Sequence, residues 1–135
     1  MAGYSPNPLW KKLGYKSGMR VYVHQAPQDY RQQLALPREI SVSWLRVAEP
    51  GVGMVHAYVR SLDDLRRGIA KHRRAIAPDG SIWISWPKKA SKIQTDITED
   101  RIREVILPIG LVDIKVCAVD ETWSGLKLVI RKELR

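Results

Sequence analysis

Along the chain the apolar residues change period repeatedly, and each change marks out an element. Met19, Val21 and Val23 share one face and Tyr22 and His24 the other, which predicts a first strand over 19–24 with both faces partly covered. Ala26, Pro27, Gln28 and Asp29 open a short helical stretch to about Leu34, with the proline tolerated in a first turn and Pro37 stopping the element. Ile40, Val42 and Trp44 alternate with Ser41 and Ser43, the period of a strand with one wet face, and so predict a sheet edge. Glu49, Pro50 and Gly51 make a turn into a mostly apolar strand over 54–59, suited to the middle of a sheet.

A helix follows, with Ser61 and Asp64 spaced as a capping box and Leu62, Leu65, Ile69, His72 and Ile76 recurring on one side until Pro78, Asp79 and Gly80 end it. Ile82, Ile84 and Trp86 then share one face of a strand over 81–86, with Trp83 on the other. After a short basic loop, Asp96 and Glu99 predict the cap of a helix over about 97–107 with Ile102, Val105 and Ile106 inward. Two last strands, 111–119 and 125–131, are separated by five residues, enough for an antiparallel return and too few for a parallel crossover. The first 17 residues read as an N-terminal arm, with one helical turn over 8–14, ahead of a single domain over 18–135. Strands alternating with helices argue an α/β fold, a mostly parallel sheet of about six strands closed by an antiparallel strand in the C-terminal hairpin.

Composition narrows the classes. A chain of 135 residues is one domain's worth and buries about two thirds of its unfolded surface, so no staple is required. The single cysteine, Cys117, excludes an intramolecular disulfide and reads as a small buried or half-buried hydrophobe, and with three scattered histidines no zinc spacing assembles. The longest aliphatic stretch, 105–112, is broken by Pro108 and Gly110 and falls short of the roughly 20 residues that cross a bilayer. The polar, proline-interrupted start has no basic-then-apolar order, so no secretory signal is expected and the chain reads as cytoplasmic.

The formal net charge of +9 admits nucleic acid, anionic lipid or an acidic partner. The excess sits in residues 1–92, and its densest cluster is Arg66, Arg67, Lys71, Arg73 and Arg74 on the helix predicted over 62–76. Most of that cluster falls opposite the apolar side, as a solvated face does. A nucleic-acid footprint is the alternative reading of the same residues.

The turn and strand Ile76-Ala77-Pro78-Asp79-Gly80-Ser81-Ile82-Trp83-Ile84-Ser85-Trp86, and the tail strands beginning Gly110-Leu111-Val112-Asp113 and Leu126-Lys127-Leu128-Val129, resemble the fifth strand and closing hairpin of class I methyltransferases. The resemblance covers about residues 18–132 and implies a three-layer Rossmann-like fold. The opening Met1-Ala2-Gly3-Tyr4-Ser5, the loop Trp86-Pro87-Lys88-Lys89-Ala90-Ser91, the segment Thr95-Asp96-Ile97-Thr98-Glu99-Asp100 and the stretch Lys115-Val116-Cys117-Ala118-Val119-Asp120-Glu121-Thr122-Trp123-Ser124-Gly125 are similar to a small bacterial domain-of-unknown-function family, number 3052. That family names no activity.

The methyltransferase pattern asks for a glycine-rich turn after the first strand, where bare backbone meets S-adenosylmethionine. This chain has His24-Gln25-Ala26-Pro27-Gln28 there, and no glycine between Arg20 and Pro50. The second strand, expected to end in an acid for the ribose, ends Trp44-Leu45-Arg46, with Glu49 the nearest carboxylate. Gly51-Val52-Gly53 precedes a strand, so these glycines serve a turn and not a phosphate. One strand and its flanking helices are missing between 40–45 and 54–59, which would expose the former as an edge.

Ligands of open α/β sheets bind beyond the carboxyl ends of the parallel strands. That rule gathers His24, Gln25, Arg60, Lys88, Lys89, Lys92, Asp120, Glu121 and Trp123 as a candidate ligand site, with Lys88 and Lys89 ahead of a helix and able to hold a phosphate or carboxylate. The bland alternative makes the lysines solvated, Asp120 and Glu121 their counter-charges, and Trp123 packing under the hairpin turn. His24 near Glu121 has the makings of a general base, yet no serine or cysteine stands in a nucleophile's context, so no catalytic residue is assigned. His56 and His72 read as satisfied core positions, and the five tryptophans as packing, with Trp86 or Trp123 also able to stack on a ring.

The expectation is a methyltransferase-like domain without cofactor or metal, acting as a binding or regulatory module for an anionic small molecule or a protein, as monomer or homodimer. A divergent S-adenosylmethionine-dependent methyltransferase and a basic nucleic-acid-binding module are the alternatives.

Overall fold

The alternating runs fold into one six-stranded sheet in a computed structural model that describes residues 7–135. The opening segment 1–5 used in the family likeness lies outside the described residues. In chain order the strands are β1 (Met19–His24), β2 (Val42–Leu45), β3 (Val52–Tyr58), β4 (Ile76–Pro87), β5 (Leu111–Ala118) and β6 (Trp123–Ile130), arranged β2-β1-β3-β4-β6-β5. β1 pairs in parallel with β2 and β3, and β3 in parallel with β4. β6 lies between β4 and β5, antiparallel to both. This is the mostly parallel α/β sheet with an antiparallel strand in its last hairpin that the pattern predicts.

Period-two alternation assigns each strand residue to one of two cores. On one face Val55, Ala57, Ile82, Ile84, Leu126 and Leu128 pack beneath α3 (Leu62–Ala75) and α4 (Glu99–Ile106), which contribute Leu65, Ile69, Ile102 and Ile106. On the other, Val21, Met54, Tyr58 and Trp83 meet α1 (Leu9–Leu13) and α2 (Tyr30–Leu34) through Leu9, Leu13, Tyr30 and Leu34. The Trp83 indole N–H donates to the Leu13 carbonyl at 2.9 Å, and Leu9 and Leu13 anchor the arm in this second core.

Local chemistry explains the boundaries. Ser61 caps α3 by accepting from the Asp64 N–H at 3.1 Å, as its spacing predicts. α4 begins later than the pattern suggests. Thr98, not Asp96, is its cap, accepting from the Arg101 N–H, while the Asp96 carboxylate accepts from the Leu62 N–H at 2.9 Å and satisfies the first turn of α3. β4 also begins earlier than its turn residues imply. Ile76 already pairs with Val52, the register then shifts, and Met54 pairs with Ser81, so 77–80 bulge out between two paired stretches. Gly80 is required at that corner because a Cβ would stand 3.0 Å from the Val52 and Ala77 carbonyls.

β2 is one sheet edge, with Ser41 and Ser43 exposed as their alternation predicts. β5 is the other, and a register irregularity between Asp113 and Lys115 interrupts its pairing. Among the described residues no helix is long and apolar enough to cross a membrane.

Candidate functional site

The sheet sets out the site by ending β1 and β3 within one residue of each other, while β4 runs on to Pro87. Beyond those ends the chain is held by backbone bonds, Val59 N–H to the Ser85 carbonyl at 2.9 Å and Lys88 N–H to the Thr122 carbonyl at 2.8 Å. The second of these ties the loop after β4 to the β5–β6 turn. That turn is shaped by Asp120, whose Oδ1 accepts from the Thr122 and Trp123 N–H groups at 2.8 Å each.

A cavity of about 480 Å³ lies between these loops, lined by Gln25, Pro27, Tyr58, Arg60, Thr122 and Trp123 among others. Its floor is aromatic: Tyr58 meets Trp123 edge-on at 5.0 Å between centroids and stacks on His56 at 4.5 Å. The exposed Arg60 guanidinium stands 5.8 Å from the Trp123 ring centroid. Tyr58 is 2% exposed, and its buried hydroxyl has no hydrogen-bond partner among the described residues. Burial first, and the Asp120 carboxylate next, push the phenol's pKa upward, so it is a protonated donor at neutral pH.

A second cavity of about 330 Å³ adjoins the first, Gln25 and Asp64 lining both. Tyr22 and His24 of β1, Val47 and Ala48 after β2, and Lys71 and His72 of α3 complete its wall. The Tyr22 hydroxyl and His24 Nδ1 are hydrogen-bonded at 2.9 Å. Burial lowers the pKa of His24, against a raising influence of Asp64, and carries that of His72 down to about 4.

The residues picked by the sheet-end rule therefore separate. Gln25, Arg60 and Trp123 meet around the larger cavity, and His24 faces the smaller one. Lys88 is half-buried, Lys89 and Lys92 are exposed, and these three lysines line neither cavity. Asp120 is engaged in its turn, and the exposed Glu121 also lines neither. The basic cluster divides as well: Arg67 and Lys71 line the smaller cavity, Arg73 donates to the Ile109 carbonyl at 3.0 Å, and Arg66 and Arg74 are exposed.

Tyr58, Asp64 and His72 are lining residues that sequence reasoning passed over. Tyr58 stands two residues before Arg60, so the same sheet-end rule reaches it, but its strand reads as mostly apolar. His56 is satisfied as expected, Nδ1 bonded to the Tyr30 hydroxyl at 2.8 Å and Nε2 to Ser85 Oγ at 2.6 Å. His72 departs from that expectation. It is buried, and its Nδ1 is unpartnered.

The bend after β1 takes a left-handed turn at Gln25, with φ 56°. Pro27 follows without an N–H, and Glu49, the nearest carboxylate after β2, is held by Arg20 at 2.7 Å. The bend after β1 therefore presents no glycine, and the nearest carboxylate after β2 is ion-paired.

No protein-family model and no curated protein matches the chain. Its fold is nevertheless that of class I methyltransferases. A TehB-like SAM-dependent methyltransferase from Corynebacterium glutamicum superposes with a TM-score of 0.56 at 11% identity, over 96% of this chain and 91% of that one. DhpI in its complex with SAH gives a TM-score of 0.61 at 10% identity, over 93% and 83%. A possible exported protein from Bordetella parapertussis gives 0.65 at 10% identity, over 91% and 66%. Identities this low carry the fold alone.

Proposed function

We propose that this chain is a non-catalytic, methyltransferase-like binding module that takes an anionic ligand, free or displayed by a protein partner, in the cavity formed by Tyr58, Arg60 and Trp123. The observation that carries the reading is the buried, unpartnered Tyr58 hydroxyl in the same cavity as the Arg60 guanidinium. A buried donor left unmade costs about 1–3 kcal/mol, so a ligand acceptor that satisfies it contributes affinity beyond its charge. Arg60 supplies a planar cation fitted to carboxylate or phosphate, and the Trp123 ring supplies an apolar surface for the ligand body.

The bend at Gln25 to Gln28 and the Arg20-bound Glu49 do not suit S-adenosylmethionine, and no methyl transfer is derived from them. The domain-of-unknown-function likeness is proposed as the chain's family. It includes the turn bearing Asp120 and Trp123, and in our reading the protein is cytoplasmic, a monomer or homodimer.

The test is tryptophan fluorescence and calorimetry against a panel of aryl phosphates and other phosphate monoesters. A ligand should bind wild type and lose about tenfold or more in affinity in Arg60→Ala and Tyr58→Phe. Unchanged affinity in both variants would discard the reading.

One observation favours a second reading, a divergent methyltransferase: Gln25 keeps a left-handed backbone where a glycine turn would stand. That reading requires S-adenosylmethionine to bind, and methyl transfer to vanish when His24 or Glu121 is replaced.

A further inference from the structure

His72 is 5% exposed, and among the described residues its buried Nδ1 has no hydrogen-bond partner. Two rings pack beside it. Tyr22 lies 6.0 Å away and His24 5.6 Å away between centroids. Gly68 makes the space it occupies, since a Cβ there would meet His72 Nε2 at 3.0 Å. A buried imidazole nitrogen with no partner is costly, and here the ring lines a cavity of about 330 Å³.

The surroundings specify what would satisfy it. From α3, Asp64, Arg67 and Lys71 face the cavity, and β1 presents Tyr22 and His24. The segment after β2 presents only Val47 and Ala48. Asp64 and Arg67 are loosely paired at 3.9 Å, which leaves Lys71 as the cavity's cation without an ion pair among the described residues. Val47 is 53% exposed, one of few large hydrophobics left in solvent, and it lines this cavity. A cation and an unmet imidazole on one side, with an apolar wall on the other, are the two halves of a site for an amphipathic acid.

We propose that the cavity between β1, α3 and the segment after β2 binds a small organic carboxylic acid, its carboxylate between Lys71 and His72 and its hydrocarbon body against Val47 and Ala48. The site adjoins the Arg60–Trp123 cavity and shares Gln25 and Asp64 with it, but its anion-holding groups are different and the proposal does not depend on the function proposed for that cavity. The carboxylate favours protonated His72, so binding takes up one proton from solvent and tightens as pH falls. Burial first, and the charges of His24 and Lys71 after it, lower the His72 pKa, and an anion between these groups offsets the second influence.

Benzoate is the probe, with benzyl alcohol as its uncharged counterpart, titrated into the intact chain by NMR of the histidine ring protons and by calorimetry. Expected are shifts of the His72 and His24 resonances, affinity about tenfold tighter at pH 5.5 than at pH 7.5, and weakening of about tenfold in Lys71→Ala, an exposed position whose loss leaves the core intact. Arg60→Ala should bind benzoate as wild type does. Benzyl alcohol binding as tightly as benzoate, affinity independent of pH, no loss in Lys71→Ala, or loss in Arg60→Ala would each overturn the proposal. His72→Gln, if folded, should abolish the pH dependence while retaining a hydrogen-bonding side chain.

Discussion

The Tyr30 hydroxyl and the His56 Nδ1 meet at 2.8 Å inside the second core, and this bond is the middle of a buried chain from Tyr15 through Tyr30 and His56 to Ser85. Its members come from the arm, α2, β3 and β4, so a single polar thread registers four segments that are far apart in sequence. A thread that is fully paired stabilises, and one that is cut leaves buried groups unmet. Tyr30→Phe should therefore cost about 1–3 kcal/mol, because both the Tyr15 hydroxyl and His56 Nδ1 lose a partner. Chemical denaturation of the two proteins at neutral pH measures it, and an unchanged midpoint would contradict the role given to the bond.

The same histidine predicts acid lability. Burial holds the folded-state pKa of His56 down at about 3, against 6.5 for an unperturbed imidazole. Above pH 6.5 both states are neutral and the contribution to stability is full. Below it the unfolded chain binds a proton that the folded chain refuses, so stability declines by up to about 1.4 kcal/mol per pH unit for this group until the folded pKa is approached. His72, lowered to about 4, acts in the same direction. The melting temperature should fall between pH 6.5 and 5, where carboxylates are still largely ionised; a melting temperature that is flat or rising over this interval would contradict the account.

Much of the architecture was legible because it is local. Period-two runs and turn chemistry mark the strands, and Ser61 with Asp64 marks the start of α3. Asp96 shows where local reading fails: Asp-x-x-Glu at 96–99 and the cap at Thr98 are equally plausible from spacing, and the choice is made by the Leu62 N–H of another helix. The early start of β4 is likewise tertiary, since Ile76 pairs with Val52 across the sheet and the Pro-Asp-Gly turn is accommodated as a bulge. For the site, the sheet-end rule finds the correct level of the molecule but not which way side chains point. It therefore selects Arg60 and Trp123, which line the cavity, alongside Lys89 and Lys92, which do not. Tyr58 and His72 were hidden because an apolar setting reads as core, and only geometry reveals a buried atom without a partner.

Leu13 is fully buried, and its carbonyl accepts from the Trp83 indole. Leu13→Ala should cost about 2–5 kcal/mol, comparable to a substitution in the central strands. Thermal or denaturant unfolding reads this directly. A loss below about 1 kcal/mol would mean that the arm is peripheral to the core.

Gln25 carries the strain of a left-handed backbone, φ 56°, without the freedom of glycine. Replacing it by Gly should be stabilising or neutral, worth up to about 1 kcal/mol, while Gln25→Val should destabilise because a β-branched residue resists that conformation. Paired denaturation curves for the two variants test the sign, and a destabilised Gln25→Gly together with a tolerated Gln25→Val would show that the bend is not left-handed in solution.

On the proposed reading this methyltransferase-like scaffold uses its strand-end cavities for an anion and not for the S-adenosylmethionine that some of its structural neighbours use. Titration calorimetry of the purified chain with S-adenosylmethionine tests it most directly. The account predicts no saturable heat at millimolar cofactor, in wild type and in Gln25→Gly alike, whereas saturable binding in the micromolar range that disappears on substitution along the Gln25–Gln28 bend would contradict it.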